Sequence, residues 1–133
     1  MQSSYLNNIW SDAYRRNDFN IVSLLETDSK ALVIDIGCGD GQKTLKFKEK
    51  IKCKKITGVD GVTKRLIAAK KRGVDETKTV NLEKTWPFQK NQFDVVISNQ
   101  VIEHLANTDN FIQETYRILK PGGYCVISTE NLA

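Results

Sequence analysis

The chain is poor in the residues that build disulfide frameworks and metal sites. Its 133 residues include one histidine and three cysteines, Cys38, Cys53 and Cys125. The odd number of cysteines, with no C-x-x-C spacing and no clustered histidine, argues against both a disulfide framework and a zinc site. We therefore predict that the cysteines are reduced and fill space, and that no metal is bound.

Long apolar runs are missing as well. No stretch reaches the run of about eighteen apolar residues that a membrane-spanning helix requires. The first thirty residues lack a cationic start followed by a continuous apolar run, which is the pattern of a secretory leader. The sequence thus predicts a cytoplasmic location and no membrane partner.

The composition is that of a globular protein with a basic surplus. Hydrophobic residues make up 40% and charged residues 27% of the chain, and the length fits a single domain over residues 1–133. The net charge of +4 comes largely from lysines crowded into residues 43–55 and 64–72. Such a surface could neutralise the phosphates of a nucleic acid. Because lysine far outnumbers arginine there, we favour solvated helix faces and consider nucleic-acid binding the weaker alternative.

A glycine-rich turn after a short apolar run is the strongest local pattern. Residues 32–36 are mostly branched and apolar, which predicts a buried parallel strand, and Gly37, Gly39 and Gly41 follow it. Glycine in such a turn permits a positive φ or the close approach of a ligand to the backbone. A dinucleotide fingerprint would place its third glycine or an alanine where Gln42 stands, which disfavours a nicotinamide-dependent oxidoreductase.

A second predicted strand, 56–60, ends in a carboxylate. A helix over residues 42–51 connects it to the glycine turn, and Asp60 lies nineteen residues beyond Gly41. In a doubly wound sheet the ligand lies across the carboxyl ends of the strands, so Asp60 is predicted to accept both hydroxyls of a ribose. The alternative is that Asp60 is the N-cap of the next helix. That helix has a predicted apolar face of Val62, Leu66, Ile67 and Ala69.

The remaining pattern alternates strands and helices. Strands are predicted over 77–80, 93–98 and 124–129, and Trp86-Pro87-Phe88 forms a loop. A helix opens near 107–109, shows its apolar face over 111–119 and is predicted to stop at Pro121-Gly122-Gly123. The fold class is therefore α/β, a doubly wound, mostly parallel Rossmann-like sheet of about five strands in the order 3-2-1-4-5, with helices on both faces.

Residues 1–27 are predicted to form a helical cap that is broken at residues 15–18. Apolar and aromatic residues recur at three- to four-residue spacing on both sides of that break. Such a stripe packs on the core in most proteins. The functional alternative is that the cap folds over the mouth of the glycine turn, with Tyr14 or Arg15 facing the ligand.

Six motifs in one order carry a family resemblance: residues 33–41 (VIDIGCGDG), 58–60 (GVD), 86–88 (WPF), 93–96 (FDVV), 101–104 (VIEH) and 117–123 (RILKPGG). Together they resemble the class I S-adenosylmethionine-dependent methyltransferases, in particular the small-molecule type called type 11. The similarity runs from about residue 31 to residue 130. Members of this family continue past the fifth strand, so we expect a fragment or a minimal version of a longer methyltransferase.

The resemblance implies S-adenosylmethionine as cofactor, with S-adenosylhomocysteine as product. Asn81 departs from the pattern, since many relatives have an aspartate there; an amide both donates and accepts. The implied roles follow the cofactor from its methionine end to its base. The turn Gly37, Cys38, Gly39 and Gly41 would run beneath the methionine part with Asp35 bracing it, Asp60 would hold the ribose, Gly61, Val62, Asn81 and Leu82 would surround the adenine, and Asn99 and Gln100 would lie at the methionine amino group.

The implied reaction is an in-line displacement that moves a methyl group to a small-molecule acceptor. Positioning supplies much of the catalysis in such a step. His104 is the candidate base for a hydroxyl acceptor, and the alternative is that Glu103 and His104 only organise their loop. A second hypothesis is a cofactor-binding module without activity. The fifth strand would leave an open sheet edge, which predicts a possible homodimer through that edge.

Overall fold

The structure, a computed structural model, describes residues 2–130, with all side chains except those of residues 2–6, 9, 10 and 14. The chain alternates helices and strands. In chain order they are α1 (Gln2–Leu24), β1 (Leu32–Ile36), α2 (Gln42–Ile51), β2 (Lys55–Asp60), α3 (Thr63–Arg72), β3 (Glu76–Thr79), β4 (Phe93–Asn99), a short 3-10 helix (Ile102–His104), α4 (Thr108–Ile118) and β5 (Leu119–Ser128).

The strands form one parallel sheet in the order β3-β2-β1-β4-β5, which confirms the predicted fold class. In the central strand, Ile34 pairs with Thr57 on one side and Val96 on the other. β1 carries apolar side chains on both faces because helices cover both faces. The order reverses between β1 and β4, and a ligand in such a sheet lies at that point, beyond the carboxyl ends of the strands.

Two apolar clusters fill the space between the sheet and its helices. On one face α1, α2 and α3 pack against the sheet, and the buried residues include Ile21, Val33, Phe47, Ile51 and Ala69. On the other face α4 and the loop after β3 cover the sheet, and the buried residues include Ile34, Trp86, Val96, Phe111 and Ile118. Trp86 meets Phe111 edge to face, with ring centroids 5.4 Å apart. The loop with the Trp-Pro-Phe motif is therefore part of the core.

The N-terminal helix corrects one prediction. α1 is continuous from Gln2 to Leu24, so the break predicted at residues 15–18 is wrong. Those four residues are charged or amide side chains, and none of them is a glycine or proline that would interrupt helical hydrogen bonds. Phe19, which belonged to the predicted apolar stripe, is 72% exposed.

The end of α4 corrects a second prediction. The helix ends at Ile118, and Pro121-Gly122-Gly123 lies inside β5 rather than stopping the helix. The last carbonyls of α4 find partners in the loop before β4: Asn91 N donates to Arg117 O at 2.9 Å and Gln92 N to Ile118 O at 2.8 Å. Gly122 has φ +82°, and the register of β5 against β4 shifts nearby, which lets a proline stand in the strand.

Smaller differences concern exposed segments. β3 begins and ends one residue before the predicted strand, and β5 begins five residues earlier than predicted. In α3 only Leu66 and Ala69 are buried, whereas Val62 and Ile67 are 44% and 55% exposed. The prediction that all four form an apolar face is therefore wrong for two of them. α3 packs at the edge of the sheet, where it buries a narrow stripe.

Two charged residues of the recognised motifs hold the scaffold together. The guanidinium of Arg117 donates to Phe88 O at 2.7 Å and to Trp86 O at 2.9 Å, so it fixes the loop that brings Trp86 into the core. Asp94 accepts from Leu32 N at 2.8 Å and from Lys120 Nζ at 3.3 Å, which ties β4 to the starts of β1 and β5. These motif residues have structural contacts far from the glycine turn.

Candidate functional site

Two cavities open at the carboxyl ends of the strands, and Asp60 lines neither of them but contacts or adjoins a lining residue of each. The first, about 280 Å³, is lined in part by Gly39, whose amide Asp60 binds. The second, about 440 Å³, is lined in part by Gly61, the next residue along the chain. We call them the turn-side cavity and the β3-side cavity. A cavity of about 520 Å³ lies near the start of β5, but it contains none of the predicted site residues.

The three glycines of the turn all have positive φ and have different surroundings. Gly39 has φ +57°, and a Cβ there would meet no atom within 4 Å, so its backbone is open to a ligand. At Gly37, with φ +77°, a Cβ would come within 2.3 Å of Val101 Cγ2. At Gly41, with φ +86°, a Cβ would lie 2.9 Å from Val74 Cγ2 and 3.0 Å from Ala69 Cα. Gly41 therefore allows α2 to pack on α3 and does not line the turn-side cavity.

The carboxylate of Asp60 links the glycine turn to the end of β2. One of its oxygens accepts from Gly39 N at 3.1 Å and the other from Val62 N at 2.9 Å. The side chain is 7% exposed, and each oxygen keeps a lone pair for a further donor. Asp60 is not the N-cap of α3, because Val62 occupies that position. The carboxylate is therefore held by Gly39, a lining residue of the turn-side cavity, and by Val62, which follows Gly61 of the β3-side cavity.

A second acid, Asp35, lies at the bottom of the turn-side cavity. It is 3% exposed, and the Thr44 hydroxyl donates to its Oδ2 at 2.7 Å. Burial raises the pKa of Asp35 to about 7, against the opposing effects of the Thr44 hydrogen bond and the charge of Lys43. Burial also raises the pKa of the Cys38 thiol to about 12, so this cysteine stays protonated at neutral pH.

Asn99 and Gln100 form the wall of the turn-side cavity at the end of β4. The side-chain oxygen of Asn99 accepts from Asn17 Nδ2 at 2.8 Å and from Ser128 Oγ at 2.6 Å. Gln100 has φ +56°, a conformation that few non-glycine residues adopt, and its N–H donates to Ser128 O at 2.8 Å. These contacts join α1, β4 and β5 at the cavity.

α1 contacts residues of this cavity through side chains that follow Tyr14 and Arg15 in the helix. Asn17 binds Asn99, and Asp18 Oδ1 lies 3.1 Å from Nζ of Lys43, a cavity residue. Arg15 is exposed, and the side chain of Tyr14 lies outside the description.

The β3-side cavity is lined by Gly61, Asn81 and Leu82, three of the four residues that the family resemblance assigns to the adenine. Val62 lies beside it at the start of α3 and does not line it. Asn81 Oδ1 accepts from Glu83 N at 3.0 Å. The Glu83 carboxylate in turn accepts backbone N–H groups from the loop before α4, at 2.9 Å from Ala106 and 3.0 Å from Asn107. This end of the cleft is thus held by polar contacts between two loops.

His104 lies away from both cavities. Its side chain is 77% exposed, and its Nε2 is 3.8 Å from Oε1 of Glu103. Glu103 is largely covered and accepts from Thr129 Oγ1 at 3.0 Å, which fixes the short 3-10 helix to the chain after β5. The two residues thus contact each other and the end of the sheet.

Sequence reasoning missed several cavity residues. Gln42 and Lys43 could have been found, because they begin the helix that directly follows the glycine turn. The sequence pattern does not distinguish the other unpredicted lining residues from ordinary core or loop residues. Among residues 2–130, no cluster of three or more His, Cys, Asp or Glu side chains has a metal-binding arrangement, and no helix is long and apolar enough to cross a membrane. The unpredicted lining residues are Asp40, Gln42, Lys43 and Phe47 in the turn-side cavity and Thr79, Val80, Glu83 and Leu105 in the β3-side cavity.

Comparison with known proteins shows the family of the chain. A family model described as "Methyltransferase domain" matches residues 34–127. The mitochondrial ubiquinone biosynthesis O-methyltransferase of Rattus norvegicus is 32% identical over 107 residues, covering 74% of this chain and 30% of the rat protein.

Two solved structures share the fold. A phosphoethanolamine N-methyltransferase of Haemonchus contortus, in complex with phosphomonomethylethanolamine and S-adenosylhomocysteine, has a TM-score of 0.74 at 26% identity, covering 86% of this chain and 28% of its own. The cyclase SpnF has a TM-score of 0.76 at 26% identity, covering 89% of this chain and 45% of its own. This chain spans less than half of the rat protein and of each of these structures. The chain belongs to the family of class I S-adenosylmethionine-dependent methyltransferases, whose cofactor is S-adenosylmethionine.

Proposed function

We propose that the domain binds S-adenosylmethionine across the two cavities and transfers its methyl group to a small-molecule acceptor. One observation carries the proposal. Asp60 is held by the N–H of Gly39, which lines the turn-side cavity, and by the N–H of Val62, which follows Gly61, a lining residue of the β3-side cavity. A ligand with a sugar between an amino-acid part and a base fits that arrangement, and the open backbone at Gly39 leaves room for it.

The proposed cofactor position assigns each predicted residue to one part of the molecule. The turn, with Asp35 beneath it, holds the methionine part, and the wall of Asn99 and Gln100 holds its amino group. Asp60 accepts the ribose hydroxyls. The base is surrounded by Gly61, Val62, Asn81 and Leu82. Gly41 supports the turn by allowing α2 to pack on α3, and Cys38 is part of the turn itself.

When bound, S-adenosylmethionine would supply a methyl group on a sulfonium sulfur. The acceptor would bond to the methyl carbon in line with the breaking carbon–sulfur bond, and S-adenosylhomocysteine would be the leaving group. The residues of this chain contribute position and environment rather than bond-making. The buried Asp35 and the wall at Asn99 orient the methionine end, and α1 limits the access of water to the turn-side cavity through Asn17 and Asp18. Positioning of this kind supplies several kcal/mol of a barrier.

A hydroxyl is the acceptor group to test first, because the rat relative is named an O-methyltransferase of ubiquinone biosynthesis. A hydroxyl acceptor needs a base, and His104 is the candidate. Its exposure and its absence from the lining of both cavities support instead the loop-organising alternative, in which Glu103 and His104 shape the chain after β4. A screen of phenols as methyl acceptors, with the wild type and His104→Gln, tests these two alternatives. If His104→Gln loses turnover but keeps its affinity for the cofactor, His104 is the base.

A second candidate function is cofactor binding without methyl transfer. It is favoured by the similarity to SpnF, which is named a cyclase although it shares the fold. Transfer of labelled methyl groups to small molecules of a cell extract decides between the two. Labelled product supports the enzyme, and saturable cofactor binding without any product supports the module.

Titration calorimetry with S-adenosylhomocysteine tests the cofactor site. We expect saturable binding by the wild type and a loss of about tenfold to a hundredfold in affinity for Asp60→Asn, because hydrogen bonds to a carboxylate contribute about 1.5–3 kcal/mol. Asp75→Asn is the matched control. Asp75 also accepts a backbone N–H, from Ile56 at 2.9 Å, and binds Lys48, but it lies at the other end of β2. Absence of binding by folded wild-type protein would remove the proposal.

The partner and location predictions also remain proposals. The outer edge of β5 is ten residues long, whereas that of β3 has four, so we propose that two copies pair along β5. Sedimentation that shows only monomer at high concentration contradicts this. Nucleic-acid binding remains the weaker alternative and predicts polyanion retention with a steep salt dependence. A cytoplasmic location is still a prediction, and the rat relative is named mitochondrial.

A further inference from the structure

We infer that Asn81 reads the purine base through a ring nitrogen that accepts a hydrogen bond, and that the 6-amino group of adenine is not recognised. The inference rests on the proposed function, since it places the base in the β3-side cavity. It concerns the polarity of that cavity: Asn81 offers a donor where an aspartate would offer an acceptor.

The orientation of the Asn81 amide is fixed by its own loop. Its Oδ1 accepts from Glu83 N at 3.0 Å, and the opposite orientation would point an NH₂ group at that N–H. Glu83 cannot easily turn away, because its carboxylate holds Ala106 N and Asn107 N. Asn110 Nδ2 binds the loop a second time, at Leu82 O and Lys84 O. The oxygen of Asn81 is therefore committed to the loop.

The group that remains for a ligand is the amide NH₂. Asn81 lines the β3-side cavity and is exposed there, and its Nδ2 makes no other hydrogen bond among the residues that the structure describes. An amide nitrogen only donates. The neighbouring hydroxyl of Thr79 is already paired with that of Thr63 at 3.0 Å. The side chain of Asn81 thus presents donors to this cavity.

The base edge of adenine has one donor and one acceptor next to each other: the 6-amino group and ring N1. An amide NH₂ opposite the 6-amino group would set two donors against each other and leave both without a partner. Opposite N1 it makes a normal hydrogen bond. Asn81 and N1 therefore form the favourable pair. An aspartate at the same position would keep the bond from Glu83 N with one oxygen and set the other, also an acceptor, against N1.

The test compares two ligands on two proteins by titration calorimetry. The ligands are S-adenosylhomocysteine and its purine counterpart, which lacks only the 6-amino group. We expect the wild type to bind both within about threefold of each other. Asn81→Asp is expected to weaken the binding of both ligands by about fivefold or more and by similar factors, because its carboxylate sets an acceptor against N1 in place of a donor, and an unpaired acceptor costs about 1–3 kcal/mol. Asn91→Asp, which makes the same charge change in an exposed loop near the start of β4, should behave as the wild type.

The outcomes separate this inference from the proposed function. A wild-type preference of about tenfold for S-adenosylhomocysteine overturns the inference and leaves the cofactor site intact. An Asn81→Asp protein that keeps the wild-type affinity for both ligands also overturns it, since Asn81 would then not face N1, and so does one that changes the ratio of the two affinities by about tenfold, since Asn81 would then face the amino group. If the folded wild type binds neither ligand, the proposed function fails together with the inference. Thermal melts of all three proteins verify that they are folded.

Discussion

The two ends of the cleft are built in different ways, although both lie at the same edge of one sheet. The turn-side cavity rests on buried groups: Asp35 is 3% and Phe47 1% exposed, and both belong to elements that form the core. The β3-side cavity is formed largely by exposed residues such as Thr79, Asn81 and Glu83, which side-chain hydrogen bonds hold in place. In the turn-side cavity, the residues that would contact a ligand also stabilise the fold. In the β3-side cavity, a substitution can alter ligand preference without altering the core.

The largest loss of stability is expected from substitutions in the glycine turn. Gly41→Ala places a methyl group 2.9 Å from Val74 Cγ2 at φ +86°, so strain and overpacking together cost about 2–5 kcal/mol of unfolding free energy. Gly39→Ala also has positive φ, but its methyl group meets open space. We expect it to cost only about 1–2 kcal/mol and to reduce the affinity for S-adenosylhomocysteine. Urea unfolding and calorimetry measure both quantities, and equal stability of the two variants would contradict the distinction.

A smaller effect is expected from the titration of Asp35. Its pKa is raised by burial to about 7 in the folded protein, from 3.8, so the folded chain binds this proton more tightly than the unfolded chain. The free energy of unfolding is therefore expected to fall by a few kcal/mol as the pH rises from about 4 to 7, because the protonated carboxyl stabilises the folded state. Above about pH 7 this contribution no longer changes. We expect thermal melts of the wild type to show this fall and those of Asp35→Asn to show a flatter profile.

Asp28→Asn is the control for that series, since Asp28 is exposed. Its profile should match that of the wild type. Affinity for S-adenosylhomocysteine, which carries a cationic amino group, should rise over the same pH range in the wild type, because the ligand favours the ionised carboxylate. A wild-type profile as flat as that of Asp35→Asn would show that Asp35 does not titrate there.

The smallest effect is expected at the other end of the cleft. Glu83→Gln keeps one acceptor oxygen and loses the charge that binds Ala106 N and Asn107 N, so we expect a cost of at most about 1 kcal/mol in stability. Amide hydrogen exchange at residues 106 and 107 should become faster, while exchange in β1 stays unchanged. Glu49→Gln, an exposed change in α2, is the control. A large loss of global stability would place Glu83 with the buried turn instead.

The elements that bury the most apolar surface could be predicted from sequence. The bounds of β1 and α2 match the prediction, and Asn107 is the N-cap of α4, where its side chain accepts from Asn110 N. The strands at the two edges were predicted less well. β3 is mostly exposed and polar, so its pairing with β2 rather than its composition makes it a strand. β5 contains a proline and two glycines, which are signals for a turn.

The same division holds for the site. The spacing of Asp60 after the glycine turn placed it at the carboxyl end of a strand, where the structure has it, and the structure adds its hydrogen bond from Gly39 N. The contact of Asn17 with Asn99 joins residues 82 positions apart, and no local pattern marks it. Gly39 is open to a ligand, whereas Gly41 is packed against Ala69 of α3. The sequence around the turn does not reveal this difference, because α3 lies later in the chain.

The sequence by itself determined the order of strands and helices, the family, and which residues stand at strand ends, because hydrophobic periodicity and glycine positions act over a few residues. Only the tertiary structure decided which groups a ligand would meet. It buried Asp35 beneath Thr44, committed the oxygen of Asn81 to Glu83, and brought α1 to the end of β4. Those properties depend on neighbours that are distant in the chain or on the direction of a single hydrogen bond.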